Sequence, residues 1–241
     1  ARDVAAALAA GLAEAAPGLV ITQAPMADGG EGLLDAIAAT CPGSWHSALQ
    51  TGIHGRSLEA RWYAMDTGTA VIESAEVLGL PLIEATPGAP DLAGRGSYAL
   101  GTLIAEVLDD GWRDIAVGLG GSACNDAGLG LLLALGAVAT DRAGHPVSPD
   151  MNGLLSLARL DLSDLDRRLA DTRLRVFCDV DNPLLGDKGA SRVYGPQKGL
   201  GPDEIAAVEN AFDTLAVQSR FPDRADTPGS GAAGGLGFAL A

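Results

Sequence analysis

The segment Val117-Gly118-Leu119-Gly120-Gly121-Ser122-Ala123-Cys124-Asn125-Asp126-Ala127-Gly128 joins a short apolar run to a cluster of glycines. Residues 114–117 predict a buried strand and residues 127–135 a helix, so the chain runs strand, turn, helix. A glycine turn before a helix lets backbone N–H groups approach an anion closely, and Ser122 adds a hydroxyl. The pattern is typical of an anion-binding turn in an α/β protein. A plain tight turn capped by the Asn-Asp pair is the alternative interpretation.

Patterns elsewhere in the chain also favour an α/β fold. Strands are predicted over residues 19–25, 45–50, 57–65, 69–74, 137–140 and 174–178, and helices over 1–12, 33–40, 98–108, 127–135 and 202–219. The strands between residues 45 and 74 follow one another with only turns between them, which indicates a mixed or antiparallel sheet. The Pro- and Gly-rich residues 81–96 are expected to form a loop.

Composition excludes several classes of protein. The 241 residues include 16 Lys and Arg against 31 Asp and Glu, a net charge of −15, which disfavours binding to nucleic acid or anionic membranes. Hydrophobic residues make up 47% of the chain, enough to build a core. The three cysteines form no close pair, and no apolar run is long enough to span a bilayer. The sequence therefore predicts a soluble cytoplasmic protein in a reducing compartment.

Two pairs of acidic residues follow predicted strands. Asp28 and Glu31 lie in a glycine-rich loop before a helix, and Asp179 and Asp181 stand two residues apart at a strand end. Ligands of α/β proteins bind at the carboxyl ends of strands, where carboxylates serve as metal ligands or general bases. Alternatively, Glu31 only complements the dipole of the helix, and the Asp pair only forms a turn before Pro183.

Lys188 and Lys198 are the only lysines in the chain, and all other cationic side chains apart from histidine are arginines. Both lysines lie in glycine-rich segments that predict loops, residues 186–191 and 195–199. A compact ammonium group on a flexible stem suits a phosphate that moves during a reaction. Two ordinary surface lysines are the alternative.

A dinucleotide-binding fingerprint is a weaker interpretation of the glycines. Gly118, Gly120 and Ala123 match the pattern, as do three glycines after residue 228. Such matches arise easily in a chain with 33 glycines, and the second does not follow a strand. Nicotinamide chemistry is therefore disfavoured, and backbone N–H groups, lysine and a divalent cation indicate phosphoryl transfer instead.

Six segments together resemble the bacterial-type (type 1) glycerate kinase family. They are Pro25–Gly32, Ala70–Ala75, Gly118–Gly128, Cys178–Leu184, Gly195–Gly199 and Gly231–Gly237. The segments are long and spread over the whole chain, so the resemblance is specific. The chain departs from the family pattern at residues 94–98, where relatives usually carry a Thr-rich sequence.

The resemblance implies ATP-dependent, Mg²⁺-assisted phosphorylation of glycerate in a cleft between two domains. Residues 1–42 plus 226–241 are expected to form a Rossmann- or flavodoxin-like parallel-sheet domain, and residues 43–225 an inserted α/β domain with a mixed sheet. Family members extend beyond both ends of this sequence, so we expect the chain to be truncated at both. We expect a monomer or homodimer, with no nucleic-acid or membrane partner.

Roles for single residues follow from the motifs and the resemblance together. We expect Asp181 or Asp179 to accept the proton of the glycerate hydroxyl while the other holds Mg²⁺, with Asp181 as the catalytic choice, and Lys198 to contact the transferring phosphate. The remaining substrate- or phosphate-binding candidates are Asp28, Glu31, Gly120, Gly121, Ser122, Asn125, Lys188, Gly234 and Gly235.

Two other functions remain open at this point. Residues 118–123 also resemble a loop of the galactokinase–homoserine kinase group, although the preceding proline and a second serine are absent. The chain could also be a non-catalytic ligand-binding domain that keeps the cleft without the chemistry. The three functions differ in the acceptor of the phosphoryl group. A glycerate kinase uses glycerate, the alternative kinase uses a sugar or an amino acid, and the ligand-binding domain transfers none.

Overall fold

The computed structural model describes residues 2–241. The helices are α1 (Arg2–Ala15), α2 (Leu33–Thr40), α3 (Ala75–Leu78), α4 (Leu80–Glu84), α5 (Tyr98–Asp109), α6 (Leu129–Ala134), α7 (Met151–Ser156), α8 (Ala190–Lys198), α9 (Pro202–Gln218) and α10 (Ala232–Leu240). The strands are β1 (Gly43–Thr51), β2 (Ser57–Met65), β3 (Ala70–Glu73), β4 (Asp114–Gly118), β5 (Val138–Thr140), β6 (Arg159–Asp161) and β7 (Arg173–Phe177). Most of the predicted elements are therefore present with bounds shifted by only a few residues.

A five-stranded mixed sheet in the order β1-β2-β3-β4-β7 organises the fold. β1, β2 and β3 pair antiparallel, as their short connections require, whereas β3, β4 and β7 run parallel. Glu73 pairs with Gly118, and Gly118 pairs with Phe177, so the three parallel strands end at one level. The loops that leave β3, β4 and β7 must therefore meet at the same edge of the sheet.

Helices cover both faces of this sheet. On one face, α5 contributes Leu100 and Leu103 to a large core that also contains Ile72 of β3. On the other face, α2 packs Leu34 against Val71 of β3. Because neighbouring residues of a strand point to opposite faces, β3 is buried on both sides. This explains why it reads as a continuous apolar run.

The strand predicted over residues 19–25 is wrong. These residues form no regular element, and the Val20 side chain is 97% exposed. A strand is stable only when its N–H and C=O groups pair with a neighbour, and no strand among residues 2–241 lies alongside this segment. Composition alone did not reveal that lack of a partner.

Two predicted loops contain helices. Residues 81–96 include most of α4, and residues 195–198 form the last turn of α8, which extends from Ala190. Gly195 and Pro196 are poor helix formers, so the sequence indicated a loop. Gly199 ends α8 with a left-handed φ of 105°, a conformation that glycine adopts without strain.

The division into two domains stays a prediction. The helix predicted over residues 1–12 is present from residue 2 onward, and Ala1 lies outside the described residues. α2 packs against β2 and β3, and α10 packs against α6, α8 and β7. Residues 33–40 and 232–240, which belong to the two parts of the predicted first domain, are thus in contact with the region predicted as the inserted domain. No helix within residues 2–241 combines the length and apolar character needed to cross a bilayer.

Candidate active site

A cleft of about 380 Å³ opens where β4 and β7 end. Its wall contains residues from five of the six segments that carry the family resemblance. The predicted site residues among them are Glu31, Gly120, Gly121, Ser122, Asp179 and Lys198. The other lining residues are Leu80, Pro81, Glu84, Leu119, Val180, Tyr194, Gln197, Ala232 and Ala233. The parallel strands end in register, so loops more than 50 residues apart in sequence share one concavity.

The 29–31 turn lies directly on the glycine turn after β4. A Cβ atom on Gly120 would lie 2.6 Å from Gly30 Cα and 2.7 Å from Gly30 N, so the backbones touch. A side chain on Gly121 would overlap the Glu31 carboxylate. The glycines therefore allow one acidic loop and one glycine loop to form a single rim of the cleft.

Lys198 is 8% exposed and reaches the cleft from the last turn of α8. Its Nζ donates hydrogen bonds to Ser122 Oγ at 3.1 Å and to the Cys124 carbonyl at 2.7 Å. Burial lowers the pKa of Lys198 from its ordinary value, and the nearby Asp126 opposes that shift. An ammonium group has three N–H donors, so one is left for a ligand.

Gly234 and Gly235 serve close packing. A Cβ atom on Gly234 would lie 3.0 Å from both Asn125 Cα and Lys198 Nζ, and one on Gly235 would lie 2.6 Å from Ala127 Cα. Both glycines have positive φ, 73° and 92°. The start of α10 therefore packs against the Lys198 ammonium group, and this contact helps to fix the position of the ammonium group.

The two aspartates after β7 have different positions. Both side chains are exposed, but only Asp179 is among the residues that line the cleft. Tyr194 of α8 also lines the cleft, and its hydroxyl donates a hydrogen bond to Asn182 Oδ1 at 2.6 Å. Burial raises the pKa of Tyr194, and the charges of both aspartates add to that effect.

Asp28 and Asn125 lie beside the cleft. Asp28 Oδ1 accepts a hydrogen bond from Gly30 N at 3.0 Å, which shapes the acidic turn, and shares an adjoining groove with Asp179. Asn125 is fully buried, and its Nδ2 lies 3.5 Å from Ser191 Oγ. Neither residue lines the main cleft.

Asp126 acts as a helix cap, which is the alternative interpretation of the glycine turn, whereas Lys188 does not lie where the sequence interpretation places it. Asp126 accepts hydrogen bonds from Ser97 N, Ser97 Oγ, Gly128 N and Gly130 N, so it caps α6 and is not available to a metal ion. Lys188 is exposed and lies outside the cleft wall, so the two lysines do not converge there.

The charge of the cleft is negative. Three carboxylates line it (Glu31, Glu84 and Asp179), and Lys198 is the single cation among the described lining residues. Only one of the two lysines singled out from the sequence lines the cleft, so an anionic ligand there needs a further positive charge. Within the described residues no group of three or more metal-ligating side chains is assembled. Mg²⁺ needs only one or two carboxylates when phosphate oxygens and water complete its shell, so the donor set fits it.

Sequence reasoning missed several residues of the cleft wall. Glu84 and Pro81 belong to α4, in a segment predicted as a loop, and no motif marked them. Tyr194 and Gln197 lie on α8, which was not predicted. The sequence Tyr194-Gly195-Pro196-Gln197-Lys198 carried a usable signal, since residues four apart share one face of a helix.

Comparison with known proteins agrees with this architecture. The chain is 41% identical over 244 residues to a glycerate 2-kinase of Escherichia coli (strain K12), a match that covers the whole chain and 64% of the relative. It is 39% identical to a glycerate kinase of Bacillus subtilis (strain 168), covering 99% of the chain and 63% of the relative. The crystal structure of a protein assigned as glycerate kinase 2 from Salmonella typhimurium LT2 matches with a TM-score of 0.84 and 38% identity, covering 98% of this chain and 64% of that one.

The chain thus spans somewhat less than two thirds of the length of these relatives. A model described as "Glycerate kinase family" matches residues 1–241. The shared motifs, the superposable fold and this match agree with one another, and the chain belongs to the glycerate kinase family.

Proposed function

We propose that the full-length protein transfers the γ-phosphate of ATP to a hydroxyl group of glycerate in the cleft at the ends of β4 and β7. The observation that carries the proposal is the meeting of Gly121, Ser122, Asp179 and Lys198 on one concave wall. Phosphoryl transfer is catalysed mainly by positioning and charge neutralisation, and these groups supply both. The names of the relatives support glycerate as the acceptor.

Asp179 is the residue that we expect to hold Mg²⁺, because its carboxylate faces the cleft and takes part in no side-chain hydrogen bond or ion pair that the structure describes. The metal would neutralise phosphate charge. Asp181 is the proposed acceptor of the glycerate hydroxyl proton. Its exposed position two residues further on requires a substrate bound at the outer part of the cleft. The alternative is the exchanged assignment, with Asp179 as the proton acceptor and Asp181 as the metal ligand.

Lys198 is proposed to donate its third N–H to the transferring phosphate. Its two other donors hold it against Ser122 and the Cys124 carbonyl, so little reorganisation is needed when the charge develops. The backbone of Gly120 and Gly121, together with the Ser122 hydroxyl, is proposed to cradle the phosphate or the glycerate carboxylate.

The test incubates the full-length protein with ATP, Mg²⁺ and, separately, glycerate, other hydroxy acids, galactose and homoserine. Phosphorylated product should form with glycerate and not with galactose or homoserine, and identification of the product shows which hydroxyl is modified. Transfer only to galactose or homoserine would assign the chain to the alternative kinase group. Binding of ATP and glycerate without transfer would support the non-catalytic alternative.

A further inference from the structure

We propose that Glu73 is a positioning residue that holds Glu31 at the rim of the cleft, by fixing the backbone at the start of α2. The inference rests on the proposed kinase function and deepens it. Glu73 ends β3, lies outside the cleft wall and had no role in the sequence interpretation. It therefore acts on the site only through the turn that it holds.

Both oxygens of the Glu73 carboxylate accept hydrogen bonds from the backbone of this turn. Oε1 accepts a hydrogen bond from Gly32 N, and Oε2 accepts one from Leu34 N, each at 3.1 Å. The partners are 41 and 39 residues away in sequence, and Glu73 is only 5% exposed. Hydrogen bonds to a buried carboxylate are stronger than those between neutral groups, so the contact is rigid.

Helix α2 needs such a partner because it has no cap of its own. The residue at its N-cap is Gly32, which has a φ of 88° and no side chain to accept a hydrogen bond. The first N–H groups of a helix have no partner within the helix and are normally satisfied by a capping side chain. Glu73 supplies this cap from the sheet, and its negative charge also suits the positive end of the helix dipole.

The other side of the turn is fixed by the loops of the cleft. A Cβ atom on Gly29 would lie 2.7 Å from the Phe177 carbonyl, and Gly30 lies against Gly120. Glu31 therefore lies between two fixed backbone segments. Gly29 and Gly30 on one side pack against residues at the ends of two strands, and Gly32 on the other side is hydrogen-bonded to Glu73. Release of the Gly32 end would let the Glu31 carboxylate leave Gly121.

The Glu73 carboxylate stands at a buried position although its burial there costs free energy. A buried charge without a cationic partner is costly, and burial raises the pKa of Glu73 above its ordinary value. None of the ion pairs that the structure describes includes Glu73, and the nearby Arg61 pairs with Glu76 instead. A carboxylate that accepts two N–H groups at once explains why such a group stands at this position.

The test compares Glu73→Gln with wild type in the full-length protein. Glutamine offers one acceptor oxygen and one NH₂ group, so it loses one of the two backbone hydrogen bonds. We expect the amides of residues 32–34 to exchange with deuterium faster, and kcat/KM for glycerate phosphorylation to fall by roughly tenfold. Asp114→Asn is the matched control, because Asp114 is a half-buried carboxylate at the opposite end of the sheet, paired with Arg175 at 2.7 Å. It should leave both readouts near wild type.

A double-mutant cycle separates positioning from general loss of stability. If Glu73 acts through Glu31, the effects of Glu73→Gln and Glu31→Gln on kcat/KM should not add. If the glutamine variant does not fold, Glu73→Asp takes its place in the cycle. Unchanged kcat/KM despite faster exchange, or fully additive effects, would overturn the inference. A wild-type protein that does not phosphorylate glycerate would overturn the proposed function, and this inference with it, before any variant is compared.

Discussion

Lys198 is the single residue whose proposed role can be tested most sharply. It is buried, donates to Ser122 Oγ and the Cys124 carbonyl, and is the single cation among the described lining residues of a cleft with three carboxylates. Replacement by alanine removes the positive charge and leaves the Ser122 hydroxyl without its donor. We expect kcat to fall by about 100-fold or more, measured as phosphorylated glycerate formed by the full-length protein.

Arg159→Ala is the control for that substitution, because Arg159 is an exposed cation on β6 that does not line the cleft. It should turn over at the wild-type rate. If Lys198→Ala stays within about threefold of wild type, Lys198 does not contact the transferring phosphate.

The pH dependence of turnover also follows from Lys198. Burial holds the pKa of Lys198 below its ordinary 10.5, and only the protonated form carries the charge proposed to act on phosphate. As the pH rises through that lowered pKa the charge is lost, so kcat should decline at a lower pH than an ordinary lysine would cause. The Cys124 thiol does not contribute to this decline of kcat, because burial raises its pKa to about 12. A kcat that stays constant up to pH 10.5 would contradict the assignment.

At the scale of elements, the close contact between two turns shapes the cleft. Gly120→Ala places a Cβ atom 2.6 Å from Gly30 Cα, and backbone cannot yield as a flexible side chain can. The acidic turn should be pushed outward, and kcat/KM should fall by roughly tenfold or more. Gly144→Ala, in an open turn after β5 with a positive φ of 85°, controls for the general cost of replacing a glycine. Equal kinetics for the two variants would show that the contact does not position the site.

The end of α8 offers a second test at this scale. Gly199 has a φ of 105° with nothing within 4 Å of a Cβ atom, so alanine there is strained although there is space for it. Gly199→Ala should lower the free energy of unfolding by about 1 kcal/mol in urea titrations. Gly199→Asn should cost less, because asparagine tolerates this conformation better. An alanine variant as stable as wild type would contradict the assigned end of the helix.

Elements with strong local signals could be predicted from sequence. α2 was predicted over Leu33–Thr40, the bounds that the structure shows, and β4 was predicted to within one residue. α8 was missed because Gly195 and Pro196 disfavour a helix that is stabilised here by packing against α9 and α10. The strand predicted over residues 19–25 is wrong for the opposite reason, since its composition favours a strand but no strand among residues 2–241 lies beside it.

The candidate site could be predicted only in part. Sequence patterns single out five residues that the structure brings to one cleft: Glu31, Gly120, Ser122, Asp179 and Lys198. The contact of Glu73 with Gly32 spans 41 residues, and no local pattern encodes such a pairing. The functional roles of the cleft residues stay predictions until the variants are measured.

At the scale of the whole molecule, electrostatics opposes the binding of an anion. The chain carries a net charge of −15, and the lining side chains include two more carboxylates than ammonium groups. ATP should therefore bind at least roughly tenfold more weakly without a divalent cation than with Mg²⁺, measured by calorimetry before and after addition of a chelator. Equal affinity under both conditions would mean that the nucleotide phosphates do not lie in this acidic cleft.

The most direct measurement is a crystal structure of the full-length protein with Mg²⁺, a non-hydrolysable ATP analogue and glycerate. We predict phosphate oxygens within hydrogen-bonding distance of the 120–122 backbone and of Lys198 Nζ, with the metal at Asp179. Nucleotide and glycerate bound together at a site that contains none of these residues would contradict the account.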